Sequence, residues 1–183
     1  MMGRSTPVQL AFFPPSLVQS VSHLPIVFTL CLMKTDSRPE VAIAILQRHE
    51  QFLLQLRDNI PGILYPGYWG LFGGHLEPGE TADQAIRREL LEEIAYAPAS
   101  LLPFGCYADE RVIRQVYYGV LDVGLAELRL QEGWDMELLT VADIQRGDRY
   151  SRQANQVRPL GPVHQTILLD FIQSRPVVSL ADP

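Results

Sequence analysis

Cysteine, basic charge and long apolar runs are all scarce in this chain of 183 residues, and each scarcity removes a class of function. The two cysteines, Cys31 and Cys106, lie far apart with no CxxC pair and no Cys/His cluster. That spacing excludes a zinc ribbon or a disulfide framework, and both cysteines read as buried apolar residues of a reducing compartment. Lys and Arg number 15 against 21 Asp and Glu, for a net charge of −6. An acidic balance gives little counterion-release drive toward a nucleic acid polymer, although a small polyphosphate can still be held if cations screen it. The longest apolar run, Ile26 to Met33, is interrupted by Thr29 and is about half of what a bilayer crossing needs. No membrane partner is therefore expected. With one arginine at the N-terminus and no clear cleavage site, a signal peptide is not expected either, which leaves the cytoplasm as the default location.

What is present is an ordinary globular mixture, 47% hydrophobic and 20% charged, of a length that suits one core with a modest appendage. Residues 1–38 stand apart. Pro7, Pro14, Pro15 and Pro25 break short apolar patches, and Met33 could serve as an alternative start that makes residues 1–32 dispensable. A flexible or surface-packed extension is the equal alternative. The domain is expected over 39–175, with a tail at 176–183. Val41 to Leu46 and Gln51 to Arg57 read as strands, the first covered on both faces. A glycine- and proline-rich loop leads to Gly73-Gly74, and a helix follows over Ala82 to Ile94, with Thr81 and Gln84 as a capping box. Leu101–Tyr107, Val112–Val123 and Trp134–Leu139 read as further strands. A short helix to about Arg146 and an amphipathic helix opening at Pro162 complete the chain. Interleaved without strict alternation, these elements predict an α/β fold with a mixed sheet between helices.

The helix after the glycines carries the chemistry. At 100° per residue, Glu89, Glu92 and Glu93 fall within an arc of roughly 100°. Glu89 and Glu93 form a like-charge i,i+4 pair beside the apolar stripe of Ile86 and Leu90, and such acids are costly to desolvate without a cation. Arg88 offsets only part of that charge. A solvated acidic surface is the bland alternative; a hard divalent ion such as magnesium is the chemical remedy.

The stretch from Gly74 to Tyr96 resembles the Nudix box, G-x5-E-x7-R-E-U-x-E-E-x-G-U with U a bulky apolar residue. Gly74, Glu80, Arg88, Glu89, Leu90, Glu92, Glu93 and Tyr96 are in register, and Ala95 replaces the family glycine. The resemblance extends over roughly 40–175. It implies a Nudix-type α/β/α sandwich and a Mg2+-dependent hydrolase, with Mn2+ as the alternative ion, that cuts a phosphoanhydride in a small-molecule nucleotide. It further implies Glu89, Glu92 and Glu93 as metal ligands, one of them a general base, and a backbone carbonyl ligand from Gly74 or Gly73. Arg88 would orient the acids and Glu80 would support the loop–helix junction. Glu132, in Glu132-Gly133, matches a position that supplies a further ligand in some relatives; a surface turn is the alternative. Ala95 falls where the family helix ends left-handed, so either it adopts that conformation at about 1–2 kcal/mol or the helix runs one residue further.

Other residues are open to two readings each. Tyr68 and Trp69 could stack on a nucleobase or pack in the core. Arg57 and Arg114 could fork onto phosphate or carboxylate oxygens, or simply pair on the surface. His75 and His164 read as a loop histidine and a structural one. The proline, tyrosine and coenzyme A signatures of particular Nudix branches are missing. That leaves a (d)NTP pyrophosphohydrolase as the expected activity, with a nucleotide-sugar hydrolase or a non-catalytic nucleotide sensor as alternatives. A homodimer is compatible with the sequence but not derivable from it.

Overall fold

The run Ala42 to Leu46 is closed to solvent on both faces, and it forms the centre of the sheet in the computed structural model, which describes residues 37–174. Expectations about residues 1–36, including Met33 and Cys31, and about the tail lie outside that range. Strands β1 (Glu40–Arg48) and β2 (Gln51–Leu56) form a hairpin turning at His49 and Glu50, with His49 left-handed at φ 54°. Two short strands follow, β3 (Trp69–Gly70) and β4 (Phe72–His75), then helix α1 (Ala82–Ile94). After β5 (Leu102–Ala108), β6 (Ile113–Val120) and β7 (Asp135–Thr140) come α2 (Val141–Arg146), the hairpin β8 (Asp148–Ser151) and β9 (Gln156–Pro159), and α3 (Pro162–Ser174).

The large sheet runs β3-β2-β1-β6-β5, with β4 also on β1 and β7 also on β2. Only β1 and β6 are parallel among its pairs, so the sheet is mixed as expected. Strand β1 is shared between two antiparallel partners. Its C-terminal end pairs with β2, and Val41 to Ala44 pair with β4. β2 therefore splays away from the start of β1, and the glycine-bearing strand enters the gap.

Side-chain alternation along the strands sorts the core into two layers. Ala42, Ala44, Leu46, Leu53 and Phe72 pack against Ile86, Leu90 and Ile94 of α1. Ile43, Ile45, Phe52, Leu54, Trp69 and Val116 pack against Ile167, Leu168 and Phe171 of α3. Helices cover both faces, giving the α/β/α sandwich. α1 starts at the anticipated cap: Gln84 N donates to Thr81 Oγ1 at 3.3 Å and Thr81 N donates to Gln84 Oε1 at 2.9 Å. It ends on Ala95 in the left-handed conformation (φ 54°, ψ 28°), whose N–H donates to Leu91 O. The strained alternative, not the longer helix, is the one adopted.

Three features depart from the sequence expectation. Cys106 is not a free apolar thiol but is disulfide-bonded; distance along a chain says nothing about the separation of two Cβ atoms, which is what permits the bond. The hairpin β8–β9, unanticipated, turns through a left-handed Asn155. Trp134 lies outside β7 because Gly133, at φ 98°, redirects the chain so that Trp134 N donates to Leu56 O at 2.7 Å.

Candidate active site

Glu93 is withdrawn from solvent, 6% exposed on the face of α1 that meets β2 and β4. Its carboxylate is held at two points. Gln55 Nε2 donates to Oε1 at 2.9 Å and Gly73 N donates to Oε2 at 2.8 Å. Burial pushes the Glu93 carboxyl up to about 7, and the nearby charges of Glu89 and Glu132 add to that, against the opposing pull of the two hydrogen bonds. An acid in this setting is short of positive charge.

The glycines explain how the loop and helix come so close. Gly73 has φ 126°, and a Cβ there would stand 2.1 Å from Ala42 O. A Cβ on Gly74 would stand 2.5 Å from the Glu89 carboxylate. Both positions therefore require the absence of a side chain, the first for backbone pairing with β1 and the second for the approach of Glu89.

Arg88 ties the remaining acids together. Its Nε and Nη2 fork onto Glu80 at 2.9 Å each, Nη1 reaches Glu89 at 2.8 Å and Glu92 at 3.1 Å, and Nη2 also donates to His75 O. Glu80 in turn accepts from Glu77 N at 2.9 Å, so it braces the turn before the helix. The Arg88 hydrogen bond holds the Glu80 carboxyl below its ordinary value, and Glu80 and Glu89 together keep Arg88 more firmly protonated. Glu92 points outward, its side chain 57% exposed.

Glu132 is delivered by a separate segment. Arg129 N donates to Ile94 O and Gln131 N to Glu93 O at 2.8 Å, so this loop satisfies the otherwise unpaired carbonyls at the end of α1. Gly133 then passes against Gln55, where a Cβ would stand 2.9 Å from its Oε1. Glu132 is exposed, and its charge is felt at Glu93. Gln55, which touches both neighbourhoods, escaped the sequence reading. Its signal was a glutamine between leucines in an apolar strand, and it is 3% exposed.

Among the described residues, no three acid, histidine or cysteine side chains are already gathered into a cage for a metal ion. Arg88 draws Glu89 and Glu92 to one side, while Gln55 and Gly73 hold Glu93 on the other. The donor set nevertheless fits a hard cation: carboxylate oxygens, the close backbone of Gly74, and a buried acid with uncompensated charge.

The residues considered for substrate separate. Trp69 is wholly buried, and its indole N–H donates to Arg149 O at 3.0 Å, which makes it a core residue rather than a base-stacking one. Tyr68 is half-buried and tilts against Tyr65 with ring centres 5.6 Å apart. Arg57 Nε donates to Leu64 O at 2.9 Å, anchoring the β2–β3 loop. His75 is exposed beside the glycine pair.

The family model described as NUDIX domain matches residues 36–160. A nucleoside triphosphatase NudI from Enterobacter sp. (strain 638) is 41% identical over 54 residues, 30% of this chain and 38% of that protein. A Bacillus subtilis (strain 168) protein provisionally named an 8-oxo-dGTP diphosphatase is 37% identical over 65 residues, 36% of this chain and 40% of that one. The chain thus matches less than half the length of these curated relatives. Among solved structures, the NUDIX domain of Shewanella oneidensis NrtR, complexed with ADP ribose, superposes with a TM-score of 0.58. It is 20% identical, covering 75% of this chain and 88% of that one, a likeness of fold.

Proposed function

The chain belongs to the NUDIX family, and from that premise we propose that it is a Mg2+-dependent pyrophosphohydrolase of nucleoside triphosphates, releasing a nucleoside monophosphate and pyrophosphate. The observation that carries this reading is Glu93, buried and doubly held, with the charges of Glu89 and Glu132 close by and Gly74 open to close approach.

Glu89, Glu92 and Glu93, with the Gly74 carbonyl and Glu132, would hold the ion. When bound, a divalent cation supplies positive charge that screens the polyphosphate and makes water more acidic. Gln55 and Gly73 fix the Glu93 carboxylate so that it does not have to reorganise as charge develops. Glu93, with its raised proton affinity, or exposed Glu132 can take the proton from the attacking water. Arg88 pairs with Glu89 and Glu92, and through Glu80 it holds the loop itself. Manganese would satisfy the same oxygen donors. The likeness to a nucleoside triphosphatase and to a provisionally named 8-oxo-dGTP diphosphatase supports the triphosphate class over the nucleotide sugars.

The test is a panel of NTPs, dNTPs and nucleotide sugars with Mg2+, before and after chelation, with products identified. Pyrophosphate release that stops on chelation is expected. Glu93→Gln should lower turnover by about a hundred- to ten-thousand-fold with an unchanged circular dichroism spectrum. Wild-type turnover in that variant would refute the role given to Glu93.

A further inference from the structure

On the opposite layer of the sheet, Arg114 is 4% exposed in the middle of a row that crosses four strands. Val41 pairs with His75 on one side and with Arg114 on the other, and Arg114 pairs with Tyr107. Arg114 alternates with Val116 and Tyr118, which pack on α3, so its side chain enters the α3 layer. Its Nη1 lies 2.8 Å from Asp109 Oδ2, yet the nitrogen is buried and no acceptor is aligned with its N–H. The charge is countered; the directed hydrogen bond is not made.

The neighbouring groups do not supply it. Asp109 Oδ1 accepts from Arg111 N at 2.8 Å and Val112 N at 3.1 Å. The Tyr107 hydroxyl is bonded to Asp170 Oδ2 at 3.1 Å. His164, in the first turn of α3, accepts from Leu71 N at its Nδ1 at 3.1 Å, so the neutral ring carries its proton on Nε2. That N–H has no acceptor among the described residues. Burial, helped by the nearby charges of Arg114 and Arg57, holds the imidazole down to about 3. Gly161 fixes the ring, since a Cβ there would stand 3.0 Å from Cδ2. Arg114 Nη1 and the His164 Nε2–H, each without an aligned acceptor among the described residues, thus lie within electrostatic reach of each other, and Asp109 and Asp170 are already engaged.

We propose that Arg114 and His164 are specificity-determining residues that receive the nucleobase and select one presenting two adjacent hydrogen-bond acceptors, as the O6/N7 edge of a 6-oxopurine does. This rests on the nucleoside triphosphate reading above. Position supports it: the Arg114 row is two strand spacings, about 10 Å, from the β4 end that bears the glycine pair, so a nucleotide with its phosphates there extends its base toward this side. Chemistry narrows it further. A guanidinium matches O6 and N7 together, whereas adenine offers a donor beside N7, and cytosine a donor at its corresponding edge. Because Asp109 already balances the charge, the missing partner is an aligned neutral acceptor rather than another anion. Oxidation at C8 turns N7 into a donor, so the 8-oxo base fits this receptor less well than the parent base.

The test compares GTP, ITP, 8-oxo-GTP, ATP, UTP and CTP on the full chain with Mg2+, alongside metal-free calorimetric binding of GMP and AMP. KM is expected to be about tenfold or more lower for GTP and ITP than for the other four. Arg114→Met should erase that preference by raising KM for GTP and ITP while kcat stays within about twofold. Arg114→Lys, which keeps the charge, serves if the methionine variant does not fold, and it should also lose the preference. Equal use of all bases, or a uniform loss across them in the variants, overturns the inference and leaves the pyrophosphohydrolase reading standing. If no triphosphate is cleaved, GMP binding that still depends on Arg114 upholds the receptor while refuting the reaction. GMP binding indifferent to Arg114 refutes the receptor.

Discussion

The two faces of the sheet hold opposite chemistry within a few residues of each other. On the α1 face, Glu89, Glu93 and Glu132 gather negative charge that Arg88 offsets only at Glu89. On the α3 face, Arg114 Nη1 and the His164 Nε2–H are donors with no aligned acceptor among the described residues. Each set carries an excess that matches one end of a nucleotide, polyphosphate through a cation on one side and base on the other. Unsatisfied buried polar groups weaken a fold. One of them, Arg114 Nη1, stands beside the end of β1, while the rest of that strand is sealed in apolar side chains.

The seam between the faces is Gly73-Gly74, and the two glycines should break in different ways. A Cβ at Gly73 meets backbone, Ala42 O at 2.1 Å and Ile43 Cα at 2.8 Å, at a φ that side chains rarely adopt. Gly73→Ala should cost about 3 kcal/mol or more and disturb both faces, because it displaces β4 from β1. At Gly74 the obstruction is only the Glu89 carboxylate. Gly74→Ala should keep most of the melting temperature and lose activity, with base preference intact. Equal melting temperatures for the two variants would show that the seam is not the rigid element described.

Protonation offers a finer comparison, measurable on metal-free protein. Glu93 has a folded value near 7, above the ordinary 4.5, so its contribution is full below about 4.5 and is lost as pH rises through 7. His164 is shifted the other way, from 6.5 to about 3, so its contribution is full above about 6.5 and is lost as pH falls toward 3. Between pH 4.5 and 6.5 the two slopes oppose, each at most about 1.4 kcal/mol per pH unit. Denaturant unfolding of the wild type should be nearly flat there. Glu93→Gln should become more stable with rising pH and His164→Gln less stable. Parallel profiles for the two variants would contradict the opposed electrostatics of the faces.

How much of this was legible in the sequence follows from which signals are local. α1 and its cap are written in consecutive residues, Thr81 to Ile94, and the acids follow from helical spacing, so both could be read directly. β1 announces itself by an unbroken apolar run and β2 by one interrupted only at Gln55. The splay that admits β4, by contrast, is a property of three strands together, and Phe72-Gly73-Gly74-His75 has too little pattern to show it. Gln55 and Arg114 were hard for the same reason. A polar residue in a strand looks alike in sequence whether it faces water or core, and only the register with β4, β5 and β7 decides. Trp69 was ambiguous until its indole found Arg149 O. Cys106 depends on a spatial neighbour that spacing cannot identify.

The smallest expected effect concerns the one departure from the family motif. Ala95 ends α1 at φ 54°, and its N–H closes onto Leu91 O at 3.1 Å. Alanine in that conformation carries a steric cost of about 1 kcal/mol that glycine does not. Glycine also has more freedom to lose on folding, which offsets part of the gain. Ala95→Gly should therefore stabilise the chain by only about 0.5 kcal/mol. Turnover and base preference should both be unchanged, because Ala95 is exposed and the next segment is tied to α1 through Ile94 O and Glu93 O rather than through residue 95. A change in turnover would mean that the helix end communicates with Glu93 through its backbone, and the two faces could no longer be treated as separately adjustable.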